Sequence, residues 1–391
     1  MSTRAVSILA VAVAAVAGAG CSRGSHRRPA ANTANTATTA TSGLVTSTAP
    51  GGPRSGVSTT TTVPASLAAT GAPIPPPPDR GTTPAVAPAG SVAVGMKAAR
   101  IVLSWPEAYV LGQPNGGRFD VARVDLPTRA VGARATLSGA PAGAGVTGSG
   151  LYVLAAGAPG AAGAAGAPGT LSRLDPTSLA VQAQLAVSGS GSQVVARADG
   201  VYLAPGPALE RRDPVSLALK ASLPLPAHDA APDLAADPRA TTLWVALPAQ
   251  DPPLTVVEAD LGAFRVLRTR RDLGGVHGGS VSGILDGAWV GYPTGTQSTA
   301  ARLRATDGST AATFQGAMPN AAAYTVSGSR LWFSGGLAAG LGCADLATGA
   351  VEGTSQVTAE TSPFAADTHV AVLGDPGAGA VRLLVPGAAC R

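Results

Sequence analysis

The sequence predicts an all-β fold: a seven-bladed β-propeller of four-stranded antiparallel blades, preceded by a disordered tether. Three observations carry this. An apolar triplet built on one aromatic recurs roughly every 43 residues, as Ala108-Tyr109-Val110, Leu151-Tyr152-Val153, Val201-Tyr202-Leu203, Leu243-Trp244-Val245, Ala288-Trp289-Val290 and Leu331-Trp332-Phe333. A seventh copy without an aromatic follows at Val370-Ala371-Val372. Repeats of 40 to 50 residues are the mark of a propeller blade, because one small sheet cannot bury its own faces and must stack on a neighbour. Within each copy, turn residues cut the chain into apolar runs of strand length, and an aspartate recurs at one of these cuts.

The third copy shows the blade plan. Gln193 to Ala196 reads as a first strand, Ala198-Asp199-Gly200 as a turn, and Val201 to Ala204 as a second strand. Pro205-Gly206-Pro207 breaks the chain, Ala208 to Arg212 makes a third strand, and Ala218 to Leu225 a fourth. Between the last two stands Asp213, with counterparts at Asp125, Asp175, Asp260, Asp307 and Asp345. Aspartate at the first position of a β-turn accepts hydrogen bonds from backbone N–H groups two residues on, so the row reads as turn formers rather than metal ligands. The repeated Tyr and Trp read as wedges filling the space between neighbouring sheets. The last copy lacks a fourth strand after Ala380 to Val385, and Ser91 to Met96, ahead of the first copy, can supply it and close the ring.

An aromatic-Val strand leading to an Asp-x-x-Thr/Ser-x turn resembles bacterial propellers of the YVTN and quinoprotein-like repeat type, over residues 91–391. The resemblance implies the fold and leaves function open, since such propellers include enzymes and binding scaffolds.

Upstream, residues 1–20 read as an export signal. Arg4 precedes an apolar run from Ala5 to Ala17, shorter than the roughly 20 residues of a membrane span. The run ends in Gly18-Ala19-Gly20-Cys21-Ser22, which resembles a bacterial lipobox, with Gly18 where Leu or Val is usual. The resemblance implies lipidation of Cys21 and a protein anchored to the membrane, facing the extracytoplasmic side; cleavage after Ala17-Gly18-Ala19 is the rival reading. The three cysteines favour the lipid: with Cys21 so used, Cys343 and Cys390 remain as a candidate disulfide, alongside the alternative of two separate thiols. Residues 21–90 hold no aromatic and are dominated by Thr, Ser, Ala, Pro and Gly, which predicts a disordered tether with a typical reach of roughly 45 Å.

The net charge of +5 belongs to this upstream part, because residues 91–391 carry equal numbers of basic and acidic side chains. A neutral body offers no footprint for phosphate backbones, so no nucleic-acid partner is expected. Chemistry, if any, belongs on the face shared by inter-blade loops. There the sequence places His228 and Asp229, His277, and Glu360, a candidate ligand-facing set. No P-loop, G-x-S-x-G or zinc-spaced Cys/His set occurs, and no cofactor or resident metal is expected. The resulting expectation is a membrane-anchored binding or scaffolding module for a protein or glycan at the cell envelope, with catalytic residues unknown. The alternative is a propeller lyase or hydrolase with a His/carboxylate cation site on the loop face, a loose resemblance to streptogramin-lyase-like propellers.

Overall fold

The computed structural model describes residues 84–113, 118–157, 168–189, 192–236, 241–249, 254–273, 280–284, 286–294, 297–315, 321–335, 340–356, 363–375 and 377–391. The leader, Cys21 and the expected tether as far as residue 83 lie outside them, as do His277 and Glu360.

The first strand, β1 (Val86–Ala93), is held back for the ring closure. Blade 1 consists of β2 (Lys97–Ser104), β3 (Glu107–Gln113), β4 (Arg118–Asp125) and β5 (Ala130–Ser138). Blade 2 has β6 (Ala140–Thr147), β7 (Gly150–Ala156), β8 (Gly169–Leu174) and β9 (Val181–Val187). Blade 3 follows with β10 (Val194–Arg197), β11 (Gly200–Leu203), β12 (Ala208–Arg212) and β13 (Leu219–Pro224). In blade 4 the strands are β14 (Asp233–Ala236), β15 (Thr242–Pro248), β16 (Leu254–Asp260) and β17 (Arg265–Arg270). Blade 5 is built from β18 (Ser280–Ile284), β19 (Gly287–Thr294), β20 (Gln297–Arg304) and β21 (Thr310–Gln315), and blade 6 from β22 (Ala321–Ser327), β23 (Arg330–Gly335), β24 (Gly340–Asp345) and β25 (Val351–Gln356). Blade 7 takes β26 (Phe364–Ala366), β27 (Ala371–Asp375) and β28 (Ala380–Pro386) from the end of the chain, and β1 from its start.

That seventh blade is the closure expected from Ser91 to Met96. The pairing runs from Val86 opposite Pro386 to Ala93 opposite Ala380, beginning five residues upstream of Ser91 and with a bulge between Pro88 and Gly90. Every sheet is antiparallel, so each blade hides both faces against its neighbours and the ring leaves only outer and inner strand edges free.

The recurring aspartates act as turn formers. Asp175 Oδ1 accepts from the N–H groups of Thr177 (3.0 Å) and Ser178 (2.7 Å), and Asp213 and Asp345 repeat the arrangement. The residue four places after the aspartate takes the left-handed conformation: Arg129, Leu179, Leu217, Phe264 and Gly349, with φ between 48° and 73°. A left-handed residue after a type I turn makes a bulged hairpin, and the bulge is present in the outer strand pair of blades 1 to 6. Blade 5 departs from the expectation. There Arg304, not Asp307, occupies the first turn position, since Arg304 N–H donates to Ser309 and Gly308 N–H donates back to Arg304. Asp307 sits inside the turn and accepts from Ser309 N–H.

The aromatics are buried at the blade interfaces, Tyr109, Tyr152, Tyr202, Trp244, Trp289 and Trp332 all at 2% exposure or less. Three of their polar tips reach the next blade at one recurring acceptor, the carbonyl just after the first turn position, whereas Tyr202 Oη donates to Asp199 of its own blade. Tyr152 Oη donates to Pro214 O (2.7 Å) and Trp289 Nε1 to Leu346 O (3.0 Å), while Tyr109 Oη lies 3.0 Å from Pro176 O. Directly across the sheet from most of these aromatics stands an arginine two places before the turn, as in Tyr109 opposite Arg123 and Tyr202 opposite Arg211. The Arg211 guanidinium lies 5.8 Å from the Tyr202 ring centre, within cation–π range. In blade 4 the arginine is replaced by buried Glu258, which accepts from Arg268 Nη1 (2.6 Å). Arg268 also takes the Ala305 carbonyl, and Trp244 Nε1 is left without a partner among the described residues.

Blade 6 carries Cys343 where blades 1, 2, 3 and 5 have arginine. Cys343 is disulfide-bonded to Cys390, with Cα atoms 5.7 Å apart. The short 3-10 helix Ala388–Cys390 brings the chain end back to blade 6, and both sulfurs are buried with Trp332 and Leu341.

Candidate functional site

The innermost strands β2, β6, β10, β14, β18, β22 and β26 each stand at the end of their sheet in hydrogen-bonding order. One edge of each therefore has no partner strand, and these edges face the ring axis. Residues of blades 1 to 6 line a cavity of about 1060 Å³. Blades 1 to 6 each contribute an aliphatic side chain to its wall: Val102, Val146, Val194, Leu234, Val281 and Val326. Polar side chains share the lining: Gln193, Asp233, Ser282 and Thr325, with Asp286, Arg302, Ser329 and Asp345 beside them.

Among the described lining residues on the innermost strands, Asp233 is the ionisable one. It opens β14, and its Oδ2 accepts from Val281 N–H of the neighbouring blade at 2.8 Å, while Oδ1 accepts from Leu234 N–H at 3.1 Å. Part of the side chain remains open to the cavity, but the protein around it strips away water. Burial pushes the carboxyl up to about 6, against the lowering influence of Val281 N–H, the charge of Arg100 and Leu234 N–H. Arg100 lies on β2 of blade 1, and in a ring of seven that blade stands across the axis from blade 4. Near Asp233, Ser280 has a buried Oγ with no partner among the described residues. At the other end, Arg302 is neutralised: Nη2 lies 2.6 Å from Asp286 Oδ2 and Nη1 donates to Ala347 O at 2.9 Å.

Of the residues expected on the loop face, His228 and Asp229 lie in the connection between β13 and β14, four or five residues ahead of Asp233. His228 Nδ1 lies 2.9 Å from the Pro226 carbonyl, and exposed Asp229 is fixed through its N–H to Pro248 O at 3.1 Å. His277 and Glu360 fall outside the described residues. Among the described residues there is no group of three His, Cys, Asp or Glu placed to hold a metal ion, and no helix is long and apolar enough to cross a membrane. Asp233 was not singled out by reading the sequence. The available signal was a charged residue opening a short strand, Asp233-Leu234-Ala235-Ala236, where the propeller plan puts the channel.

On the opposite face, the first turn of blade 1 presents Trp105, the one tryptophan outside the core, 46% exposed. It stacks on His369 of blade 7 with ring centres 4.6 Å apart and planes 11° from parallel, across the junction where the ring closes.

No protein-family profile and no curated protein sequence matches the chain. Solved structures do match it, 941 chains in all, a breadth that belongs to a fold rather than to one activity. Hydrazine synthase of Kuenenia stuttgartiensis is 14% identical, with a TM-score of 0.56 over 76% of this chain and 97% of that one. The computationally designed Ika8 protein is 12% identical, with a TM-score of 0.53 over 78% of this chain and 99% of that one. BamB from Moraxella catarrhalis is 12% identical, with a TM-score of 0.49 over 71% of this chain and 81% of that one. At these identities the likeness is one of fold: the chain forms a seven-bladed β-propeller.

Proposed function

We propose that the protein is an extracytoplasmic binding module, lipid-anchored at Cys21, whose propeller recognises a protein or glycan ligand at the cell envelope. The observation that carries this reading is the allocation of the three cysteines. Two of them, Cys343 and Cys390, form a buried bridge of the kind that persists in oxidising compartments, and the third stands at the end of an export-type leader in a lipobox-like context. A charge-neutral body behind a long Thr/Pro-rich segment suits presentation at a surface and gives no reason to expect nucleic acid. The propeller supplies a ring with an axial cavity lined by aliphatic and polar side chains, the kind of concave surface on which ligands bind.

The test is fractionation of cells expressing wild type or Cys21→Ser. The wild type is expected in the membrane fraction, and the variant in the soluble extracytoplasmic or culture fraction, since one acyl-modified cysteine is the anchor this reading supplies. A variant that remains fully membrane-bound, or a wild type found in the cytoplasm, overturns it. Cross-linking on intact cells then identifies the bound ligand.

A further inference from the structure

We infer that the outer edge of blade 4 is a docking strip for an extended, acidic segment of a partner protein, which adds to β17 as a further strand and meets Arg265, Val266, Leu267 and Arg271. The inference rests on the reading of the propeller as a binding module and names a surface and a partner class for it.

β17 stands last in its sheet, so no strand of the described residues pairs with its outer edge. Such an edge offers a row of backbone donors and acceptors to a further strand. Other blades have a free edge too, and the side chains around it set blade 4 apart. In blades 2, 3 and 6 the bulge of the outer pair places one extra residue in the fourth strand: Gln182, Lys220 and Glu352. Each turns back on its own blade, Gln182 to Asp175 (3.4 Å), Lys220 to Asp213 (2.8 Å) and Glu352 to Arg330 (2.8 Å). In β17 the same position holds Leu267, 38% exposed. Val266 lies opposite Ala259, at the register position where Val131 of blade 1 and Val351 of blade 6 pack against their cores, yet Val266 is 37% exposed.

The arginines of this segment divide into two pairs. Arg268 and Arg270 are taken up within the fold, the first by Glu258 and the Thr306 carbonyl, the second by Asp272 and the Gly308 carbonyl. Arg265 and Arg271 are exposed, and their side chains make no hydrogen bond or ion pair among the described residues. They mark the two ends of a strip roughly 20 Å long, with the exposed aliphatic pair and the regular stretch Arg268 to Arg270 between them. This surface fits an extended segment with aliphatic residues flanked by carboxylates. Main-chain bonds along Arg268 to Arg270 supply affinity, an apolar side chain covers Val266 and Leu267, and the carboxylates select the partner at Arg265 and Arg271. Anionic lipid headgroups would answer the arginines and leave the strand edge unpaired, so a peptide satisfies more of the strip.

The experiment uses the full chain in detergent and the fluorescein-labelled peptide Glu-Asp-Val-Thr-Val-Asp-Glu-amide, with binding read by fluorescence anisotropy. One comparison peptide carries Lys at every acidic position. Another carries N-methyl groups on its three central residues, which removes strand donors and keeps the charges. The acidic peptide is expected to bind with a Kd below about 100 μM, about tenfold or more tighter than either comparison, and to weaken as salt is raised. Arg265→Glu/Arg271→Glu should weaken it by about tenfold or more, whereas Arg265→Lys/Arg271→Lys should keep most of the binding. Leu267→Ser should weaken it several-fold, and Leu219→Ser on the edge of blade 3 should change nothing. The strip is overturned if the charge-reversed chain binds like wild type, or if the Lys peptide or the N-methylated peptide binds as well as the acidic one. It is also overturned, in favour of membrane contact, if the Cys21→Ser chain ignores the peptide and floats with phosphatidylglycerol vesicles through the same two arginines. Peptide binding in detergent is independent of the anchor, so absent binding with normal membrane retention sinks the strip alone, and failed retention with intact binding sinks the anchor alone. A partner cross-linked on intact cells through another face keeps the binding module and removes this strip.

Discussion

Removing the Cys343–Cys390 bridge should lower the melting temperature of the propeller by about 6 °C, a value that follows from the length of chain it encloses. The cysteines are 47 residues apart, and the loop contains β25 through β28, including three strands of the closing blade. In the chain-entropy description, cross-linking a loop of that size removes about 14 cal/mol/K from the unfolded ensemble, worth about 4 kcal/mol at 25 °C. A body of about 300 residues unfolds with an entropy of roughly 0.6 to 0.7 kcal/mol/K, and the quotient gives the shift. The bridge also has a local task. Next to it Gly387 N–H donates to Ala85 O at 2.8 Å, so the chain end that Cys390 fixes also seats the first strand. The assay is differential scanning calorimetry of wild type against Cys343→Ala/Cys390→Ala, with hydrogen exchange followed by mass spectrometry. Exchange should rise first in β1 and β28. A double variant that melts within about 1 °C of wild type, or exchange that rises evenly over all blades, would refute the reasoning.

Other outcomes follow from the same structure. Deleting residues 1–83 should leave the calorimetric transition intact, whereas deleting residues 1–93 removes β1, strips the edge of β28 and should cost several kcal/mol; equal melting of the two would mean the ring closes without β1. Leu217 is fully buried yet left-handed, with φ at 61°. Both Leu217→Ala and Leu217→Gly should destabilise by a few kcal/mol, but glycine should be the milder by about 1 kcal/mol, the opposite of the usual order in sheets; urea melts that rank alanine above glycine would count against this. Stability should decline between about pH 4 and pH 6, because the Asp233 carboxyl, with a folded value of about 6, binds more protons in the folded than in the unfolded state over that window. The decline should be absent in Asp233→Asn. Below about pH 4 the sign reverses. Asp125, Asp175, Asp307 and Asp345 are held below the usual carboxylate range by hydrogen bonds from their own turns, so the stability they contribute is lost as pH falls through their folded values. Acid titration of a chain with one of these turns rebuilt, such as Asp345→Asn, should show a shallower loss, and an unchanged profile would argue against the turns as its source.

Blade order was legible in the sequence because the repeat is long and each copy contains one large side chain that must be buried. The strands of the third copy, expected at Ala208 to Arg212 and around Val201, lie within a residue of β12 and β11. Asp307 was misread because spacing alone cannot tell the first turn position from the fourth; Gly308, supplying the left-handed residue, marks where the turn ends. The interblade contacts were less legible. An arginine two places before the turn looks like any surface charge until the sheet register puts Arg211 against Tyr202. The site was least legible of all. Histidines attracted attention as titratable groups in loops, while Asp233 gains its character from where the ring axis passes, a property of how seven sheets assemble and of no local run of residues.

The closing blade also determines how the body can be held. β1 is the outermost strand of blade 7, and just before it Ala85 and Val86 bind Thr354 and Ser355 on β25, itself the outermost strand of blade 6. The chain upstream therefore joins the disc at its rim, like a string tied to the edge of a wheel. The residues that fix this entry, Ala85 and Val86, pair with an outermost strand and so stand away from the axis.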